Sequence, residues 1–126
     1  MSSINKVTLM GRVGQDPETS FAKGGTQLTK FSLATSEYYM KNGEKVNSTE
    51  WHNILLWNKL SESYKASIKK GSLLYVEGKI KTNKWQDKEG KNRYRTEIWG
   101  AVVRLLDSRK KSKNNQNYIN RDDIPF

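Results

Sequence analysis

Apolar and polar residues alternate along most of this chain with a period of two, and in one stretch the period lengthens. Ile4, Val7, Leu9 and Val13 are spaced among polar positions, which predicts a first strand over residues 4–13. Gly14-Gln15-Asp16-Pro17 reads as a turn, since proline fixes φ and aspartate can bond back to the backbone. Gly24-Gly25 marks a second break, and Gln27 to Tyr39 is a second strand with Phe31 and Leu33 two apart. The Asn-Gly pair in Lys41-Asn42-Gly43-Glu44 is a hairpin signal, because both residues tolerate positive φ. Thr49 to Trp57 is the third strand. Leu60, Tyr64 and Ile68 then fall four apart, one stripe of a short helix with Asn58 as its N-cap and Gly71 just past its end. Strand spacing returns from Leu73 to Lys84, breaks at Asp87-Lys88-Glu89-Gly90 and resumes from Arg93 to Leu106. Three strands, one short helix and two further strands predict an all-β, five-stranded OB-fold barrel with its helix between strands three and four.

The pattern stops after Asp107. Residues 108–117 (Ser-Arg-Lys-Lys-Ser-Lys-Asn-Asn-Gln-Asn) hold no apolar side chain and cannot bury enough surface to offset the entropy of ordering. The expected organisation is a folded domain over 1–107, a disordered basic linker over 108–120 and a tip over 121–126. That tip, Arg121-Asp122-Asp123-Ile124-Pro125-Phe126, is acidic and then apolar, a local reversal in a chain of formal net charge +10. The overall charge favours a polyanionic partner, nucleic acid or an acidic membrane. No apolar run approaches the roughly 18 residues of a membrane span, and the first ten residues lack a signal-peptide pattern, so no membrane association is expected. Cysteine is absent, which excludes disulfides and thiolate metal sites and fits a cytoplasmic protein.

Strand parity then separates the aromatic residues. In the third strand His52, Ile54 and Leu56 share one face, and Trp51, Asn53, Leu55 and Trp57 share the other. In the fourth, Lys79, Lys81 and Trp85 point together, away from Leu74, Val76 and Ile80. Residues 79–95 carry seven basic and two acidic side chains, Arg93 and Arg95 among them. An indole beside lysines is a poor core residue, because unpaired buried ammonium groups are costly. It suits base stacking with phosphate neutralisation alongside. Trp99, beside Ile98 and Val102, is expected in the core or a subunit contact. His52, the one histidine, is expected to pack or to hydrogen-bond at an interface.

Several segments resemble the bacterial-type single-stranded DNA-binding proteins: residues 5–18, Leu33-Ala34-Thr35-Ser36-Glu37, Thr49-Glu50-Trp51-His52, Leu56-Trp57-Asn58-Lys59-Leu60, residues 70–78, Lys84-Trp85 and Asp122-Asp123-Ile124-Pro125-Phe126. Each motif is weak alone; the ordered set with the terminal stub is specific. The resemblance implies an OB fold, commonly a homotetramer, that holds single-stranded DNA without sequence preference and without catalysis. It implies stacking by Trp51, Trp57 and Trp85, and by an aromatic after Glu37, where the chain offers Tyr38-Tyr39 and the role is assigned to Tyr39. Lys79, Lys81, Lys84, Arg93 and Arg95 are the expected phosphate neutralisers. It also implies that Asp122, Asp123, Ile124, Pro125 and Phe126 dock on replication, repair and recombination proteins, and that His52 and the first strand lie near subunit contacts. The chain departs from the family at Tyr39, commonly tryptophan, at Trp57, commonly phenylalanine, and in its short, Asn-rich linker. Two rival functions stand beside this one. A cold-shock-like RNA-binding OB chaperone would use the same stacking surfaces. A metal-dependent nuclease would need ligands that one histidine, no cysteine and no tight acidic cluster outside the tip hardly supply, so neither catalysis nor a cofactor is expected.

Overall fold

The protein is described here by a computed structural model covering residues 2–106, so the linker and tip expected over 108–126 lie outside the described residues. Strands β1 (Val7–Val13), β2 (Glu18–Phe21), β3 (Gln27–Lys41), β4 (Glu44–Trp57), β5 (Leu73–Gln86) and β6 (Asn92–Leu105) form one sheet in the order β1-β5-β6-β4-β3-β2. Helix α1 (Asn58–Tyr64) joins β4 to β5. β1 also pairs with β3, at Arg12↔Ala34 and Val13↔Leu33. That pairing closes β1, β5, β6, β4 and β3 into a five-stranded barrel, the OB architecture expected, with β2 flanking β3 outside the ring.

The period-two pattern builds the interior. Phe31 and Leu33 from β3, Ile54 and Leu56 from β4, Leu74 and Val76 from β5, and Ile98 and Val103 from β6 are buried together. Helix α1 plugs one end. Its Ser61 hydroxyl is buried and bonds the Thr29 hydroxyl at 2.7 Å and the Gln27 amide at 3.1 Å, while Tyr64 donates to the Val103 carbonyl at 3.0 Å. The stripe of Leu60, Tyr64 and Ile68 packs inward as expected, but the helix is shorter than the stripe. It ends at Tyr64, Trp57 occupies the N-cap, and Asn58 is its first residue at φ 49°. Ile68, 2% exposed, is buried from the turn that follows, and Gly71 serves that turn by donating its N–H to the Val13 carbonyl at 2.8 Å.

Three other boundaries differ from expectation. The first strand begins at Val7, because Asn5 takes over the ladder with its side chain, which bonds both the N–H and the carbonyl of Ile80. A short strand, β2, occupies part of the segment between the two breaks and carries no buried residue to signal it. The third expected strand starts five residues earlier, at Glu44, because the Asn42-Gly43 turn propagates pairing at once; both turn residues have positive φ.

Both long hairpins outrun the barrel. β3–β4 pairing is unbroken from Leu28↔Trp57 to Lys41↔Glu44, and β5–β6 pairing runs to Gln86↔Asn92. Their distal halves are exposed on both faces and project as two-stranded ribbons. Asp87 caps the second ribbon. Its Oδ1 accepts the N–H of Glu89 and of Lys91, and its Oδ2 accepts Arg93 Nε, all at 2.9 Å. The Lys91 N–H, with help from Arg93 and Glu89, holds the Asp87 carboxyl below the ordinary carboxylate range.

Candidate nucleic-acid interface

The outer face of the barrel is where charge and aromatic rings meet. Register defines a row across four strands: Lys30 on β3 pairs with Leu55 on β4, Leu55 with Trp99 on β6, and Trp99 with Lys79 on β5. Leu28, Lys30, Leu55 and Trp57 form one side of a cleft there. Lys81, Thr82, Asn83, Arg95, Glu97 and Trp99 of the β5–β6 ribbon form the other. A second depression, lined by Gln15, Asp16, Lys30, Ser32, Asn53 and Arg95 among others, continues the groove toward Trp51. Alternation explains this set: with Phe31, Ile54, Val76 and Ile98 inside, their chain neighbours must point out.

Trp51 and Trp57 lie on this face of β4, as expected. Trp51 is 59% exposed, its indole resting against Gly14, where any Cβ would come within 2.5 Å of the ring. Trp57 is half-buried and meets Trp99 at 5.3 Å between ring centroids, tilted by 57°. Its Nε1 is buried with no hydrogen-bond partner among the described residues. Trp85, 42% exposed, shares its ribbon face with Lys79, Lys81 and Arg95, and the Arg95 guanidinium sits 5.8 Å from its ring centroid. The lysine-and-indole face read from parity is therefore present.

Two expected residues are placed differently. Tyr39 pairs with Val46, on the face of the β3–β4 hairpin opposite to Trp51 and Trp57. Its neighbour Tyr38 pairs with Asn47 on the tryptophan face, with Lys45 Nζ 4.2 Å from its ring centroid. The turn at Asn42-Gly43 sets this register, so the signal was legible by counting back from it. Lys84 pairs with Tyr94 on the ribbon's opposite face, its Nζ 5.9 Å from that ring; its even number beside Trp85 carried the information. Arg93 lies on the same face as Trp85, as expected, with its Nε donating to Asp87 Oδ2 at 2.9 Å.

Trp99 corrects the core expectation. It is half-buried, outside the core cluster, and lines the cleft with Lys81 Nζ 4.9 Å and Lys79 Nζ 5.8 Å from its ring centroid. Its Nε1 donates to Glu97 Oε1 at 3.2 Å. Lys30 is another groove residue that the sequence pattern did not single out. His52 is half-buried and its Nε2 bonds the Thr35 hydroxyl at 2.9 Å within its own chain. Farther along β5, Tyr75 donates to Glu77, which also faces Lys6 at 3.9 Å; that hydrogen bond raises the Tyr75 phenol above its ordinary value. Among the described residues no group of three or more His, Cys, Asp or Glu side chains is placed to hold a metal ion, and no helix is long and apolar enough to cross a membrane.

Comparison with known proteins agrees with this geometry. The profile of the single-strand binding protein family matches residues 4–106. Two curated proteins called single-stranded DNA-binding protein, from serogroup A and serogroup B strains of Neisseria meningitidis, are each 40% identical over 117 residues, or 92% of this chain and 67% of theirs. A Plasmodium falciparum SSB solved in complex with ssDNA superposes with a TM-score of 0.77 at 31% identity, over 85% of this chain and 98% of that one. A deletion mutant of the single-stranded DNA-binding protein from Thermus aquaticus shares the fold, with a TM-score of 0.72 at 22% identity, over 84% of this chain and 52% of that one.

Proposed function

Because the chain belongs to the single-strand binding protein family, we propose that its outer groove binds single-stranded DNA without sequence preference, coating and protecting it in replication, recombination and repair. The observation that carries this reading is the run of rings with cations beside them: Trp85 with Arg95, Trp99 with Lys79 and Lys81, Tyr38 with Lys45. Rings accept the face of any base, and cations meet the phosphates between bases. The protein acts by binding alone, as a cytoplasmic, nucleoid-associated homotetramer whose Asp122 to Phe126 peptide recruits partner proteins. In that peptide the Phe126 side chain would fill an apolar pocket while its carboxylate and the aspartates meet basic residues at the rim.

Salt dependence tests the groove. Lys30, Lys79, Lys81 and Arg95 line or border it. With four phosphates neutralised per protomer, the log of the binding constant for a dT oligomer short enough to engage one protomer should fall with log salt at a slope of about −3, and proportionally more steeply for an oligomer that spans several. A slope near zero would remove the phosphate contacts. Titrating a U oligomer of equal length beside it separates the RNA-chaperone alternative, which tighter RNA binding would favour. Deleting residues 121–126 should leave DNA affinity unchanged or higher, since an acidic competitor is gone, and should abolish partner recruitment in a pull-down. Lost DNA affinity in that truncation contradicts the division of labour.

The β3–β4 arm supplies a sharper comparison. Tyr38→Leu should weaken dT binding by about tenfold, the contribution of one stacked base. Tyr39→Leu should have a smaller effect, because Tyr39 faces away from Trp51 and is reached only by a strand that wraps round the arm. The opposite ranking would assign stacking to Tyr39.

A further inference from the structure

We propose that Trp99, with Trp57, seats one base of the bound strand in the cleft under the β5–β6 ribbon, and that Lys81 covers the Trp99 ring only until that base arrives. The inference rests on the single-strand reading above and adds to it a binding residue that neither the local sequence pattern nor the family resemblance assigns.

The two indoles are 5.3 Å apart and tilted by 57°, so they form a corner, and both are only half-buried. Over the Trp99 ring sit Lys81 Nζ, 4.9 Å from its centroid, and Lys79 Nζ at 5.8 Å. Packing that sealed the ring into a core would not admit two ammonium groups, whose unpaired burial is costly. Trp99 is nonetheless held firmly: Glu97, 6% exposed, accepts its Nε1–H at 3.2 Å, which fixes the plane of the indole. Asn83 and Arg95 complete the lining with polar ends suited to base edges and phosphate.

A base stacks on an indole more strongly than an exposed ammonium sits over one, so an entering base displaces Lys81 from the ring. The displaced ammonium remains on the same side of the ribbon, where the adjoining phosphate takes its charge. Lys81 thus keeps the ring face unpacked in the free protein and becomes a phosphate contact in the complex.

The chain contains four tryptophans, which makes the test direct. In the full-length protein, Trp51, Trp57 and Trp85 are replaced by Phe, leaving Trp99 as the sole indole. A saturating dT oligomer should then quench most of its emission. In the wild-type background, Trp99→Leu should lower dT affinity about tenfold, Trp99→Phe should restore most of it, and Lys81→Met should flatten the salt slope by about 0.7. Binding by the sole-indole chain without quenching, together with wild-type affinity for Trp99→Leu, overturns the proposal and makes Trp99 a packing or subunit-contact residue. If Trp99→Leu fails to fold, the sole-indole titration still decides, since it retains the native side chain. Absence of dT binding by the wild-type chain instead overturns the single-strand reading itself.

Discussion

Replacing Trp51 and Trp85 together by alanine should lower affinity for a dT oligomer by about a thousandfold and leave the melting temperature nearly unchanged. Each base–indole stack contributes about 2 kcal/mol, and two independent losses sum to about 4 kcal/mol, or three decades in the dissociation constant. Independence is expected because the rings sit on different hairpins: Trp51 lies against the Gly14 turn and Trp85 stands on the distal β5–β6 ribbon beside Arg95. Folding should survive because both are largely exposed, at 59% and 42%, and neither belongs to the core cluster. Phe21→Ala is the matched control. Phe21 is 67% exposed on β2, outside the groove, so its loss should change neither quantity. Fluorescence anisotropy with a labelled oligomer, beside thermal melts, reads all of these. A double variant that binds within tenfold of wild type would take both rings off the binding face.

Gly11→Ala should be among the most damaging small substitutions in the barrel. Gly11 lies on β1 where that strand crosses β3, and a Cβ there would stand 2.0 Å from the Ala34 carbonyl oxygen and 2.9 Å from its carbon. The obstacle is backbone, so no rotamer change relieves it. Either β1 or β3 must move, and the Arg12↔Ala34 and Val13↔Leu33 pairs that close the ring would be lost or stretched. A cost of at least about 3 kcal/mol is expected, which for a domain of this size lowers the melting temperature by about 10 °C or more. Gly24→Ala separates this clash from backbone strain. Gly24 has φ 84° and, among the described residues beyond its chain neighbours, nothing lies within 4 Å of where its added methyl would stand, so only the left-handed conformation is penalised, by about 1 kcal/mol. Equal melting temperatures for the two variants would show that barrel closure tolerates a methyl group at position 11.

How much was legible in the sequence differs from residue to residue. The alternation of Phe31, Leu33, Ile54, Leu56, Leu74 and Val76 reported the barrel interior directly, because a closed sheet has one apolar side. Asn42-Gly43 reported its hairpin, and with it the register that puts Tyr38 beside the tryptophan face; that consequence needed only counting. The ladder-extending side chain of Asn5 left no local signal, since it depends on Ile80, far along the chain.

Trp99 marks the boundary between the two kinds of knowledge. Ile98 just before it and Val103 a little farther along β6 are core, and from such chain neighbours alone an indole there reads as core too. The sequence by itself determined the five barrel strands, the presence of the helix, the apolar interior and the basic ribbon, because each follows from a local period, a turn dipeptide or a local count of charge, whereas β2 left no such signal. Only the tertiary structure decided which rings share a cleft. That outcome depends on β6 lying parallel to β4, with Leu55 opposite Trp99, while β5 brings Lys79 to its other side. Strands so far apart in the chain meet through barrel closure, and no nearest-neighbour pattern encodes which side chains such a closure sets face to face.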